Sequence, residues 1–308
     1  AEADWMVGIN ATRALTCKYN AQLSCGRVQT PTLAMIAKRE ADIRSFVPKP
    51  FYGLQAKGDG LTLTWQNQAS GSFCTFDRDL AQNILENLKG ETGVVSQVKR
   101  TPKKTFAPLL YDLTELQRDA NRRFDYSAKE TLNIMQRLYE NHKVLTYPRT
   151  DSRYLSSDIV PSIKERLEAC GVGPYRKLAG RLMNQKIAAK PSFVDDKKVS
   201  DHHAIIPTEQ FVQLDHMTVE ERKIYDLVVR RFIAVLYPPF EYEQTELTVE
   251  LAGENFAAKG KVVKNAGWRE VYEGQDDDED DGEDSERQEI RAQKLPDVKR
   301  GDRIPKLS

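Results

Sequence analysis

The chain has 308 residues, enough for more than one compact unit with a buried core, and its 46 Lys and Arg balance its 46 Asp and Glu. No apolar run nears the length that spans a bilayer and no secretory-signal pattern opens the sequence, so a cytoplasmic protein is expected rather than a membrane-embedded or exported one. The four cysteines, Cys17, Cys25, Cys74 and Cys170, form no C-x-x-C pair, which suits a reducing compartment and argues against a zinc site.

The first residues, AEADWMVGINATRALT, read as a helix with Trp5, Ile9 and Leu15 roughly on one face. No capping residue precedes them, as though the chain were cut there. A second helix is expected at TPTLAMIAKREADI, with Thr30 as N-cap and Pro31 at the first helical position. From Phe51 to about Val98 short alternating segments take over, LTLTW and GVVSQV among them, with one helical stretch near RDLAQNILENL. Helices return at LTELQRDANRRF and AKETLNIMQRLYENH, the latter with a capping-box signature in Ser127 and Glu130. Two helices joined by a short turn are compatible with a helix-turn-helix element. Thr218 and Glu221 cap a further helix, VEERKIYDLVVRRFIAVLY, which Pro238 and Pro239 stop. QTELTVEL, ENFAAKGKVV and GWREVYEG then read as strands. The order is helical, β, helical, β, and a helical unit inserted within a β domain accounts for it most simply.

Between Glu273 and Glu289 lie 11 acidic residues and one basic one, Arg287, which leaves the remainder of the chain at +10. A basic body with one acidic segment suits a polyanionic partner such as nucleic acid. An EF-hand loop starting at Asp277 would have its glycine at Gly282, but Gln288 stands where the bidentate Glu belongs, so the run reads as a solvated loop.

Three segments carry candidate chemistry. In LSCGRVQTPTL, Gly26 allows a tight turn, Arg27 and Gln29 alternate onto one face, and the helix start offers free backbone N–H groups, together a phosphate-binding corner. An arginine that merely caps a neighbouring element explains the same residues. In KVLTYPRTDSRYL an extended path puts Tyr147 and Arg149 on one side, a phenol beside a fixed cation and so a plausible nucleophile for a phosphodiester. The plain alternative is a helix stop with an aromatic lid, which would not need Thr146, Arg149, Thr150, Asp151 and Ser152 in one row. In SDHHAIIPT, His202 and His203 are able to donate to phosphate oxygens or relay a proton, or to serve as turn histidines.

Taken in order, SCGRVQTPTL, TYPRTDS and SDHHAIIPT resemble the type IA DNA topoisomerases, in particular their bacterial members, over nearly the whole chain. The resemblance implies an α+β multidomain core in which a helical, helix-turn-helix-like domain bearing the catalytic tyrosine is inserted in a β-rich arch. On that basis residues 1–47 form a helical segment of the single-strand-binding domain and 48–110 the first part of the arch. Residues 111–240 form the tyrosine-bearing domain, and 241–308 the second part of the arch with the acidic loop 273–289. It further implies that Tyr147 forms a 5′-phosphotyrosine, that Arg149 and His202 assist it, and that Ser24, Arg27, Gln29, Thr30, Asp151, Ser152 and His203 contact DNA. The expected partner is single-stranded DNA, in a cytoplasmic, nucleoid-associated enzyme that needs no ATP; a helicase or single-strand-binding protein as further partner is left open. The family's Toprim domain, with the ligands for Mg2+, has no counterpart in the sequence, so the chain reads as a fragment cut at both ends and inactive by itself. Two other classes remain open: a non-catalytic single-stranded DNA-binding or helix-turn-helix module, and a metal-dependent hydrolase built on the His202 and His203 pair.

Overall fold

The computed structural model describes residues 2–58, 60–187, 189–272, 290 and 292–304. The acidic run expected as a solvated loop, 273–289, lies outside the described residues. The chain divides into two compact units, one of Ala1–Tyr52 with Cys74–Gln82, the other of Gly53–Phe73 with Asn83–Ser308.

The first unit contains α1 (Glu2–Tyr19) and α2 (Gln29–Arg44), neither of which buries a residue. Thr12 and Thr16, one turn apart on α1, hold the connecting segment by both of its backbone groups. Thr12 Oγ1 accepts from the Cys25 N–H (2.9 Å) and donates to the Cys25 carbonyl (3.3 Å). Thr16 Oγ1 does the same for Leu23 (3.4 and 3.1 Å). Four helical residues rise about 6 Å and two extended ones about 6.7 Å, so the two periods match. The helix start differs from expectation: Val28 is the boundary residue and provides no side-chain cap, while Thr30 sits inside the first turn. Its hydroxyl is engaged behind it, accepting from the Gly26 N–H (3.0 Å). Pro31 is accommodated because it too lies within the first turn.

The second unit is built on one sheet. Its strands are β1 (Gln55–Gly58), β2 (Leu61–Gln66), β3 (Gly93–Thr105), β4 (Phe240–Leu251), β5 (Glu254–Asn265), β6 (Ala292–Gln293) and β7 (Arg303–Ile304). They follow the order β1-β2-β5-β4-β3-β7, all antiparallel, with β6 parallel beside β5. Alternate residues Leu61, Leu63 and Trp65 turn inward onto Val249 and Phe256 and onto Ile84 of the helix α3 (Arg78–Asn87). This core covers only one end of the long strands; beyond Thr245 and Gly260, where the pairing of β6 ends, β3, β4 and β5 continue as a three-stranded ribbon. Pro102 is tolerated in β3 because its ladder there has a partner on one side only, β7 pairing just Gly93 and Val94.

All of 106–239 is inserted between β3 and β4, which are neighbours in the sheet. This helical part has its own core, built from α4 (Leu113–Phe124), α5 (Ala128–Glu140), α6 (Ile163–Cys170), α7 (Arg176–Met183) and α8 (Val219–Leu236). Asp112 caps α4 and Ser127 caps α5, and Asp125 at φ 60° turns the chain between them. Helix α8 is buried over most of its length, as a central helix must be, and encloses Tyr225, Val228 and Phe232 completely or nearly so. Each such side chain contributes about 1.5–3 kcal/mol. The Thr218 and Glu221 capping box starts α8.

GWREVY, expected as a strand, is a 3-10 helix, Gly267–Tyr272. Gly267 lies at φ 50°, and a Cβ there would overlap the carbonyl oxygens of Pro238 and Pro239, so the chain must turn at that point instead of running on. Arg181 to Glu270 and Arg230 to the Val271 carbonyl then fasten the turn to α7 and α8. No described helix is long and apolar enough to cross a membrane.

Candidate active site

The segment bearing Tyr147 is placed by the end of α5. The His142 N–H donates to the Arg137 carbonyl (3.1 Å), and Lys143 adopts a left-handed φ of 57°. The Val144 N–H then returns to the Leu138 carbonyl (3.0 Å), reversing the chain. Glu221 of α8 fixes this corner from below, accepting from Arg137 (2.8 Å) and lying 3.2 Å from His142 Nε2.

From there the tyrosine and histidine segments are laced together. Leu145 pairs with Pro207, and the Thr146 N–H donates to the Ile206 carbonyl (3.0 Å). The Thr146 hydroxyl accepts from the Ile206 N–H (3.0 Å) and donates to the Ala204 carbonyl (3.3 Å). Thr150 Oγ1 donates to the His202 carbonyl (3.0 Å) and accepts from the Ser152 N–H (3.1 Å). Ser152 Oγ donates to the Lys198 carbonyl (2.8 Å), and the Ala204 N–H reaches the Tyr154 carbonyl (2.9 Å). Short hydroxyl side chains suit this work because each can satisfy a backbone donor and an acceptor at once.

The result is a fixed meeting of rings. The half-buried Tyr147 ring lies 4.5 Å from that of His202, centroid to centroid, at 43°, and stands edge-on to Tyr139 at 5.5 Å. Both Tyr147 and His202 line a cleft of about 370 Å³, together with Thr146 and His203. Asp158, Asp196 and Asp201 line it too, so the cleft is not uniformly positive. A hydrogen bond from Ser156 holds the Asp158 carboxyl below its ordinary range. Burial, above all, lowers the His203 imidazole below its ordinary value, and its Nδ1 donates to the Ala204 carbonyl (2.7 Å).

The other expected site residues fall into three groups. Arg149 is exposed, does not line the cleft and has no ion-pair partner among the described residues, while Pro148 between it and Tyr147 is buried. The chain bends at Pro148, and Arg149 does not share the cleft with Tyr147. Asp151 is exposed and accepts from Ser200 Oγ (3.2 Å). Ser152, expected at the DNA surface, is instead 4% exposed with its hydroxyl fully engaged, so it positions the segment. In the other compact unit, Gln29 Nε2 donates to Ser24 Oγ (2.6 Å) and Arg27 pairs with Asp4 (2.8 Å). Arg27 and Gln29 do not alternate along an extended strand, since α2 begins at Gln29. Among the described residues, no three His, Cys, Asp or Glu side chains converge as a closed protein site for a metal ion would require.

Sequence reasoning missed the aromatic neighbour Tyr139, the acceptor Asp4, and the cleft carboxylates Asp158 and Asp196. None belongs to a recognisable local pattern; they come to the site by tertiary folding.

The whole chain, residues 1–308, matches the family described as DNA topoisomerase. It is 57% identical over 304 residues to DNA topoisomerase 3 of Bacillus subtilis (strain 168), and 56% identical over 304 residues to that of Bacillus licheniformis. The chain belongs to the type IA DNA topoisomerases. In both relatives the match covers 99% of this chain and 41% of theirs, so it spans well under half the length of the topoisomerases it matches. Full-length topoisomerase I from Thermotoga maritima shares the fold at a TM-score of 0.71 and 24% identity, over 99% of this chain and 47% of that one. The α+β architecture with its inserted helical part is thus that of the type IA core.

Proposed function

We propose that this chain supplies the strand-cleaving tyrosine of a type IA DNA topoisomerase acting on single-stranded DNA. The Tyr147 oxygen attacks a backbone phosphorus, an O–P bond forms to the phenol, and the bond to the 3′ oxygen breaks, leaving a free 3′-hydroxyl and a 5′-phosphotyrosine. Reversal of the same step reseals the strand, and because the ester retains the bond energy no nucleotide cofactor is needed. The observation that carries this reading is the Tyr147 ring held against His202 at the mouth of a cleft by two laced segments.

His202 donates to the phosphoryl oxygens, and Arg149, exposed beside the tyrosine, adds positive charge on the open side. The carboxylates of Asp158, Asp196 and Asp201, which line the same cleft, repel phosphate and so limit how the backbone enters it. Ser24, Arg27, Gln29 and Thr30 contribute to a groove for the strand, and Asp151 and His203 flank the reacting phosphate. Magnesium, where the enzyme uses it, is bound outside the described residues. Strand passage and religation belong to the whole protein, in the cytoplasm with the nucleoid.

The test uses the full-length protein that contains this chain and end-labelled single strands on denaturing gels. The 3′-labelled fragment should become covalently attached and the 5′-labelled fragment should be released, with Tyr147→Phe abolishing attachment while binding persists. An adduct that survives Tyr147→Phe defeats the proposal.

A further inference from the structure

The ribbon of β3, β4 and β5 has two faces, and the strand register sorts their charges. On one face Arg100 pairs with Asp297 (2.9 Å) and Lys104 with Glu241 (2.7 Å). On the other, Lys103 lies across from Tyr242, and Lys99 and Lys259 lie on either side of Glu246. Lys261, one step along β5, covers the Tyr242 ring at 4.5 Å. Lys99, Lys103 and Lys259 have no carboxylate within ion-pairing distance among the described residues, and Glu246 instead accepts from Gln244 (2.8 Å).

Residues two apart on a strand are separated by about 6.7 Å and neighbouring strands by about 4.8 Å, so these four lysines rise from a patch of backbone roughly 10 by 13 Å. Like charges so close on a sheet repel one another unless a counter-charge spans them. A phosphodiester backbone supplies such a charge at comparable spacing. The face carries no open stacking platform, since Tyr242 and its neighbour Phe240, 5.2 Å apart by ring centroid, both lie under Lys261.

We infer that this face of the ribbon binds the backbone of a single-stranded DNA segment, without reading sequence and apart from the Tyr147 cleft. It rests on the reading that the chain handles single strands. Neutralising the backbone releases counterions, by about 0.7 per phosphate contact on a single strand.

The test is anisotropy of labelled DNA with the full-length protein, using strands of about 30 and about 8 nucleotides and a blunt duplex, across about 50 to 200 mM salt. Against wild type stand the triple variant Lys99→Gln, Lys103→Gln, Lys259→Gln and an opposite-face control, Arg100→Gln with Lys104→Gln. In the triple variant the slope of log affinity against log salt on the long strand should fall by about 2, with circular dichroism and adduct formation on the short strand unchanged. Lys103→Glu alone should lower it by about 0.7 or more. An unchanged slope in both overturns the inference, as does an equal fall in the control or a fall confined to duplex. Adduct formation at Tyr147 with unchanged slopes would sink this inference alone, whereas a wild-type protein that neither binds single strands nor forms an adduct would sink the proposed function with it.

Discussion

Asp119 and Arg231 form a buried ion pair in the helical core, and removing one partner should be far more costly than removing both. Their side chains are each 7% exposed and lie 2.9 Å apart. Asp119 also accepts from the Tyr111 hydroxyl (2.5 Å) and pairs with Arg122. Arg231 donates further to the Leu109 carbonyl (3.0 Å) and sits 4.1 Å over the Tyr111 ring, while its Nε has no partner among the described residues. Asp119→Ala therefore leaves a buried guanidinium with only neutral partners, the Leu109 carbonyl, the Tyr111 hydroxyl (2.8 Å) and the Tyr111 ring, a loss of about 3–5 kcal/mol. Asp119→Leu combined with Arg231→Met removes both charges and should recover most of that, a coupling of at least about 2 kcal/mol. Two separate cores make a single unfolding step an unsafe assumption, so the assay is hydrogen exchange at the Ile205 amide, which donates to the Tyr111 carbonyl at 2.8 Å. Its exchange should speed up roughly a hundredfold or more in the single variant, at about 1.4 kcal/mol per factor of ten, and return most of the way in the double. A cost below about 1 kcal/mol for Asp119→Ala, or a double variant as damaged as the sum, would refute the reasoning.

Because burial lowers the His203 imidazole, its neutral form is the one the fold accommodates, and the unfolded chain takes up a proton first as pH falls. Stability of the helical part should fall from about pH 6.5 down to the lower folded value and level off beneath it, and His203→Gln should remove that slope in melts taken from neutral to mildly acid pH. A slope that persists in His203→Gln would assign it to another group. The Cys170 thiol, pushed up to about 12 by burial, should resist thiol-specific reagents in the native protein while the exposed Cys17 reacts. Equal labelling rates of the two would contradict the packing described.

Much of the architecture was legible because local chemistry and tertiary structure agree. Thr218 with Glu221 and the Pro238 and Pro239 stop bound α8 as expected, and the alternation of LTLTW marks β2. Thr30 misled because a threonine before a proline fits an N-cap, while the Gly26 turn had already recruited its hydroxyl. GWREVY misled because alternation says nothing of Gly267 pressed against two carbonyls. At the site, Tyr147 and His202 were named from their motifs, and their apposition follows from hydroxyls in the same motifs, Thr146 and Thr150. Ser152 looked like a surface ligand because a serine reads alike whether its hydroxyl faces solvent or a buried carbonyl. The pairing of Asp119 with Arg231 was not legible at all, since neither sequence neighbourhood reveals a partner 112 residues away.

The central claim is that Tyr147, among the chain's 12 tyrosines, forms the bond to DNA. Trypsin separates the three tyrosines nearest the cleft, because Arg137, Lys143, Arg149 and Arg153 place Tyr139, Tyr147 and Tyr154 in different peptides. Full-length protein reacted with a single strand, denatured, digested with nuclease and trypsin and weighed by mass spectrometry should carry a nucleotide on the peptide Val144–Arg149. The same mass added to the peptide of Tyr139 or Tyr154, with Val144–Arg149 unmodified, would contradict the account.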